Sequence, residues 1–324
     1  MKEISIVFMG TPEFAVESLN QMLLQGFNVK AVVTVADKAA GRGLKVKYSP
    51  VKTFALSKGL PVLQPESLKD PDFIKILQQT GANLFVIVAF RKLPEEVWRI
   101  PALGSFNLHA SLLPQYRGAA PINHAILNGE RQTGVTTFFL NQGIDTGALI
   151  LGEAIEIGEN ETAGELHDRL MVAGADLVIK TIQAIRDENV EPKVQPEVTG
   201  GLKTAPRLFR EHCFVTWNRN AAEVHNHIRG LSPHPGAYSF LRLDENGKEM
   251  KLLESRITPL EVDRMPGDVF IDENGNMLVA CNDYFIELLQ LQPAGKKAMT
   301  GIEFLRGNRA GRLVFGSESN RMNG

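Results

Sequence analysis

Residues Ser105–Asp145 read SFNLHASLLPQYRGAAPINHAILNGERQTGVTTFFLNQGID, and the rest of the chain can be placed around them. SFNLH is strand-like, and on a strand Asn107 and His109, two apart, point to the same face. A polar, Pro-broken loop follows. AAPINHAILNG then has helical character, GVTTFF reads as a second strand, and Asp145 falls in a Gly-flanked turn. Strand, helix and strand in succession are the units of an α/β sheet. The same order delivers an amide, an imidazole and a carboxylate to strand ends and loops, where catalytic groups are commonly placed.

The chemistry of these three groups narrows what they do together. Asn offers a neutral amide donor and a protonated His donates too, so both suit an oxygen that becomes negative. Asp can hold the imidazole in one tautomer or accept a proton. That set fits attack on a carbonyl. Ser111 follows in SLLP, but no G-x-S-x-G surrounds it. The nucleophile therefore belongs to a substrate, which points to direct transfer of an acyl or one-carbon unit to an amine or hydroxyl. On spacing alone, an Asn-x-His pair on a strand is more often a satisfied structural pair than a catalytic one, and an Asp in NQGIDTG is more often a plain turn residue.

Working outward, the preceding hundred residues alternate strand and helix. ISIVFM, VKAVVTV and the apolar run Leu84–Phe90 are strands of the type buried on both faces. Between them lie helices over PEFAVESLNQMLLQ, SPVKTFALSKG and DPDFIKILQQTG, the last with an Asp70 cap and a Gly81 stop. AGELHDRLMVAGADLVIKTIQAIRD closes the series as a long helix. The expectation is a doubly wound, mostly parallel Rossmann-like sheet over residues 1–190, with ligands at the carboxyl ends of its strands. MGTPEF in the first strand-to-helix turn has Gly10 alone, not G-x-G-x-x-G, which argues against a dinucleotide there.

The texture changes near Asn189. NVEPKVQPEVTGGLKTAP, rich in Pro and Gly, reads as a linker over 191–208. Residues 209–324 then show short strands (CFVTW, AYSFLRL, KLLESRI, GDVFI, MLVAC, YFIELLQLQ) separated by turns and one helix, AAEVHNHIRGL. That spacing predicts a small OB-like β-barrel. His225-Asn226-His227 lacks the acids and strands of a nuclease metal site.

The 324 residues are 44% hydrophobic and 22% charged, ample for two cores. Two cysteines, Cys213 and Cys281, sit far apart in no metal spacing, so neither a disulfide nor a metal is expected, as suits the cytoplasm. No apolar run is long enough to span a membrane. With net charge −2, any polyanion must meet local patches. The clearest is Asp37–Lys52, where Lys38, Arg42, Lys45, Lys47 and Lys52 oppose one acid. Such a run is either a solvated loop or a phosphate-contacting one.

NLHASLLPQYRGAAPI and GVTTFFLNQGIDTG resemble the signature of the folate-dependent formyltransferases. FMGTPEFA, ADKAAGRGLKVKYSPVK and LQPAGKKAM extend the likeness over nearly the whole chain, and the last two mark the branch that acts on methionyl-tRNA. The resemblance implies 10-formyltetrahydrofolate as formyl donor and initiator methionyl-tRNA as acceptor, in the service of translation initiation. It implies Asn107, His109 and Asp145 as catalytic residues. Ser111, Leu112, Leu113 and Pro114 would wrap the pterin, Phe14 would line the methionine pocket, and Arg42, Lys45 and Lys47 would meet the acceptor stem. One departure stands out: after NLFVIVA the chain has FRKLP, where the family commonly shows Tyr-Gly. The competing readings are a formyltransferase for an amino-sugar nucleotide and a non-catalytic RNA-binding adaptor.

Overall fold

The protein is described here as a computed structural model covering residues 3–40, 45–197, 201–243, 246–308 and 312–316. Its elements run β1 (Ser5–Gly10), α1 (Glu13–Leu24), β2 (Asn28–Val33), β3 (Lys38–Ala40), β4 (Lys45–Lys47), α2 (Pro50–Ser57), β5 (Val62–Leu63), α3 (Pro71–Gln79), β6 (Leu84–Val88), α4 (Glu95–Trp98) and β7 (Ser105–His109). There follow β8 (Arg117–Gly118), α5 (Pro121–Leu127), β9 (Gln132–Phe139), β10 (Leu149–Glu156), α6 (Ala163–Arg186) and β11 (Thr204–Ala205). The remainder is α7 (Ala221–Leu231), β12 (Ala237–Leu243), β13 (Asn246–Glu261), β14 (Val269–Ile271), β15 (Met277–Ala280), β16 (Tyr284–Pro293), β17 (Met299–Thr300), α8 (Gly301–Arg306) and β18 (Leu313–Gly316). Packing divides the chain into two compact units: Met1–Gly118 with Thr133–Ile155 and His167–Thr204, and Ala119–Gln132 with Glu156–Leu166 and Ala205–Gly324. Among the described residues no helix is long and apolar enough to cross a membrane.

The first unit is built on a seven-stranded sheet in the order β10-β9-β7-β6-β1-β2-β5. From β5 to β7 neighbouring strands are parallel, while β9 runs antiparallel to β7. The chain winds from β1 outward to β5, then returns to β6 on the other side of β1, which makes a topological switch point between β1 and β6. Strand residues alternate between two buried faces. Val7, Met9, Phe85 and Ile87 share a core with Phe73 and Leu77 of α3, and Ile6, Phe8 and Val86 are fully buried between them along the strands. Caps fix the helices as their sequences suggest: Ser49 accepts from Lys52 N at 3.0 Å, and Asp70 accepts from Asp72 N at 3.0 Å. The last residue of β1 is glycine because a Cβ on Gly10 would lie 2.7 Å from the Ala15 Cβ and 3.0 Å from the Val88 carbonyl oxygen.

The second unit is an antiparallel sheet in the order β14-β15-β16-β13-β12-β18, with β17 added to β16. A bridge between Asp268 and Val314 joins its two ends, so the sheet nearly closes into a barrel. Phe315 N donates to the Gly267 carbonyl at 2.8 Å across the same seam. Val224, Ile228 and Leu231 of α7 enter its core with Trp217, Leu252, Ile286 and Phe315.

The structure differs from the sequence reading in three places. CFVTW is not a strand: Arg210–Cys213 form a 3-10 turn, and Phe214 makes a single bridge to Tyr238. β18, four residues long, was not expected. The second unit also takes in α5 and residues 156–166. Within it the buried Arg229 donates to the carbonyls of Gly158 and Glu161, and the Asn123 amide donates to Gly230 O. Such contacts, between residues about 70 to 107 apart, leave no trace in local composition.

Candidate active site

β7 is the strand that carries the site. Its register sets Asn107 opposite Phe138 and His109 opposite Thr136, so both side chains leave the sheet on one face near its carboxyl end. Beneath them Leu108 packs on α6, close enough that a Cβ on Gly174 would be 2.8 Å from its Cδ2. His109 is buried. Its Nε2 lies 2.8 Å from the Tyr116 carbonyl oxygen. A carbonyl only accepts, so Nε2 carries the hydrogen and, in the neutral ring, Nδ1 carries the lone pair. Nδ1 is 3.9 Å from Asp145 Oδ2, just beyond hydrogen-bond length. The same Oδ2 accepts from Gly118 N at 3.0 Å. Asp145 sits at φ 53, an uncommon conformation for a side-chain-bearing residue, in which Asp is one of the better tolerated. Asn107 is half-buried, and its amide has no protein partner among the described residues.

The arrangement thus offers one unused amide donor and one imidazole nitrogen facing a carboxylate across a gap. A reacting oxygen can be met by the amide, and a proton can move to or from Nδ1 or the carboxylate. Among the described residues no three His, Cys, Asp or Glu side chains are grouped to hold a metal ion.

The SLLP loop leaves β7 beside this face. Ser111 is fully buried and its hydroxyl donates to the Gln115 carbonyl at 2.7 Å, while Thr136 Oγ1 donates to Ser111 O at 2.7 Å and accepts from Leu113 N at 3.2 Å. Leu113 and Pro114 are buried and Leu112 is half-buried. The loop is therefore a knotted, preformed wall, in which Leu112 alone of the four presents accessible apolar surface. In FRKLP, the departure from the family pattern, Arg91 donates to the carbonyls of Pro65 and Glu66. Burial pulls its guanidinium below the usual arginine range.

Phe14 on α1 is buried and meets the His167 ring edge-on, centroids 5.3 Å apart. The basic stretch splits. β3 and β4 pair antiparallel, Lys38 with Lys47 and Ala40 with Lys45, a hairpin that the sequence reading took for a loop. Lys47 is exposed at its end, and Arg42 lies outside the described residues. Lys52 is committed elsewhere: it pairs with Asp37 and lies over the Tyr48 ring at 4.0 Å. Its hydrogen bond, helped by one from Gln64, holds the Asp37 carboxyl below the usual range. The residues that sequence reasoning missed are those after α6. Lys203 O accepts from Tyr116 N at 2.6 Å, and Lys203 N donates to the Gln115 side chain at 2.8 Å, so the segment after α6 braces the loop that holds His109.

Comparison with known proteins shows what the whole chain is similar to. Residues 2–182 match the formyl transferase family model and residues 207–309 match the formyl transferase C-terminal domain. A methionyl-tRNA formyltransferase of Bacteroides thetaiotaomicron is 48% identical over 312 residues, 95% of this chain and 97% of that protein. One from Flavobacterium psychrophilum is 49% identical over 308 residues, again 95% and 97%. Among solved structures, an N-formyltransferase from Helicobacter canadensis in complex with folinic acid and dTDP-3-aminofucose superposes with a TM-score of 0.62 at 23% identity. It covers 90% of this chain and 99% of its own, a likeness of fold.

Proposed function

The chain belongs to the formyl transferase family, and from that premise we propose that it moves the formyl group of 10-formyltetrahydrofolate onto the α-amine of methionine carried by initiator methionyl-tRNA. The reaction serves translation initiation in the cytoplasm. The amine, which ordinarily titrates at roughly 7.7–8.0, reaches its free-base form near neutrality and attacks the formyl carbon. The carbonyl electron pair moves to oxygen, and the Asn107 amide donates to that oxyanion. His109, once protonated at Nδ1, is the second donor, with Nε2 already held by Tyr116 O. Asp145 orients the imidazole and takes up the proton released by the amine. Collapse breaks the bond from the formyl carbon to the folate nitrogen, which leaves with the proton that Asp145 took from the amine. The SLLP wall receives the pterin, with Leu112 as its apolar contact, and Phe14 borders the methionine side chain. Arg42, Lys45 and Lys47 meet the acceptor stem.

One observation carries this reading: an Asn107 amide with no partner among the described residues stands two residues from a His109 that faces Asp145, in a chain 48% identical to a methionyl-tRNA formyltransferase along nearly its whole length. The test is formyl transfer from 10-formyltetrahydrofolate, assayed in parallel with charged initiator tRNA and with amino-sugar nucleotides. Formylation of methionyl-tRNA alone supports the assignment. Formylation of a sugar nucleotide alone would replace it.

A further inference from the structure

We propose that Gln195 is a positioning residue for the Asp145–His109 pair, acting from the segment that follows α6; the proposal rests on the reading above. Residues 191–197 look like spacer, and all but one are exposed, Val194 included at 87%. The exception is Gln195. Its Nε2 donates to the carbonyls of Asp145 and Gly147, both at 2.8 Å, and its Oε1 accepts from Arg117 Nε at 3.2 Å and Nη2 at 2.5 Å. Both amide hydrogens and the amide oxygen are thereby used. The two carbonyls flank the left-handed turn that aims Asp145, so the amide bridges the turn whose shape places the carboxylate.

The other end of the bridge is tied to the same pair. Tyr116, Arg117 and Gly118 are consecutive. Tyr116 holds His109 Nε2 through its carbonyl, Arg117 holds Gln195 through its side chain, and Gly118 holds Asp145 Oδ2 through its N–H. Gln195 closes this ring of contacts, fixing the 3.9 Å separation between Nδ1 and Oδ2. It touches neither reacting atom. Its influence must pass through Asp145, which gives it a kinetic signature of its own.

The test is a double-mutant cycle with Gln195→Ala and Asp145→Asn, read as single-turnover formylation of methionyl-tRNA by the full-length protein, with unfolding midpoints measured alongside. A displacement near 1 Å can cost about 100-fold. Gln195→Ala should therefore lower turnover by about 10- to 100-fold, with KM for donor and tRNA changed less than about threefold. In the Asp145→Asn background the same change should cost less than about twofold, because nothing is left to position. Gln195→Glu, which keeps the size and the Arg117 partner but turns an acceptor toward two carbonyls, should fall with Gln195→Ala. Equal losses in both backgrounds would mark Gln195 as generally structural and overturn the proposal. So would wild-type turnover in Gln195→Ala while Asp145→Asn alone is crippled, which would leave the assignment of Asp145 standing. Wild-type turnover in Asp145→Asn would instead remove the underlying reading.

Discussion

Gly147→Ala tests the placement of the Asp145 turn from the opposite side. A Cβ on Gly147 would fall 1.6 Å from the Phe139 carbonyl oxygen and 3.2 Å from Phe138 Cδ2. Ordinary contact begins at 3.4 Å, so the turn or β9 must yield by about 1.8 Å (3.4 − 1.6). The obstacle is backbone, and the adjacent hydrogen bond from Phe139 N to Ala148 O at 2.9 Å holds it in place. Overpacking of this kind costs about 1–3 kcal/mol, and a strained or lost hydrogen bond adds about 1 kcal/mol. The expected destabilisation is therefore about 2–4 kcal/mol in urea unfolding, with turnover per folded molecule down about 100-fold. Gly152→Ala on β10 is the control. Its Cβ would meet nothing nearer than 3.7 Å, so stability should stay within about 0.5 kcal/mol of wild type. If Gly147→Ala lost stability as stated but each folded molecule turned over normally, the placement of Asp145 would not govern the reaction.

Three further outcomes are expected. Asn107→Ala, which breaks no side-chain hydrogen bond among the described residues, should leave the unfolding midpoint nearly unchanged while lowering turnover by about 10²–10³-fold; His109→Ala and Asp145→Ala should also lose turnover by orders of magnitude with tRNA binding kept, and a filter-binding assay run beside the kinetics decides each. Exchanging Lys45 and Lys47 for Glu should weaken all tRNAs alike and flatten a salt dependence of roughly −0.9 per phosphate contact, whereas Arg42→Ala should cost discrimination between initiator and elongator methionyl-tRNA; identical salt slopes would reduce the hairpin to a solvated surface. In the second unit, burial and then the nearby Arg219 push His227 down to about 4, and its Nε2 is buried without a hydrogen-bond partner among the described residues. An unfolded His binds its proton near 6.5, so this contribution is complete above that pH and is lost as pH falls from 6.5 toward 4. Up to about 3 kcal/mol is at stake, and His227→Gln should flatten that limb of a pH–stability curve.

The parts of this protein legible in its sequence are those fixed by local periodicity. Continuous apolar runs such as Leu84–Phe90 announced strands buried on both faces, and Asn107 and His109 shared a face because strand geometry requires it. The capping of α3 by Asp70 was equally local. What escaped notice depends on partners far along the chain. Nothing about Gln195, between Val194 and Pro196, signals that its amide spans the Asp145 turn 50 residues earlier. Lys52 counted as one cation among five until Asp37 was seen to hold it. The β3–β4 hairpin was hidden because lysines and glycines carry no strand preference.

The antiparallel pairing of Leu149 with Lys193 has a consequence for how the first unit stays unaggregated. β10 ends its sheet, and its outer backbone groups would be a template for another chain. At Leu149 they are met on both sides of the residue, N to Lys193 O at 2.7 Å and O from Lys193 N at 2.9 Å. The opposite rim, β5, is two residues long and offers little to pair with. A fragment cut at residue 190 would keep all seven strands of this sheet yet lose this cover, together with Gln195 and Lys203. Such a fragment should self-associate through β10, and protease nicking after α6 should begin with loss of colloidal stability rather than unfolding of the sheet.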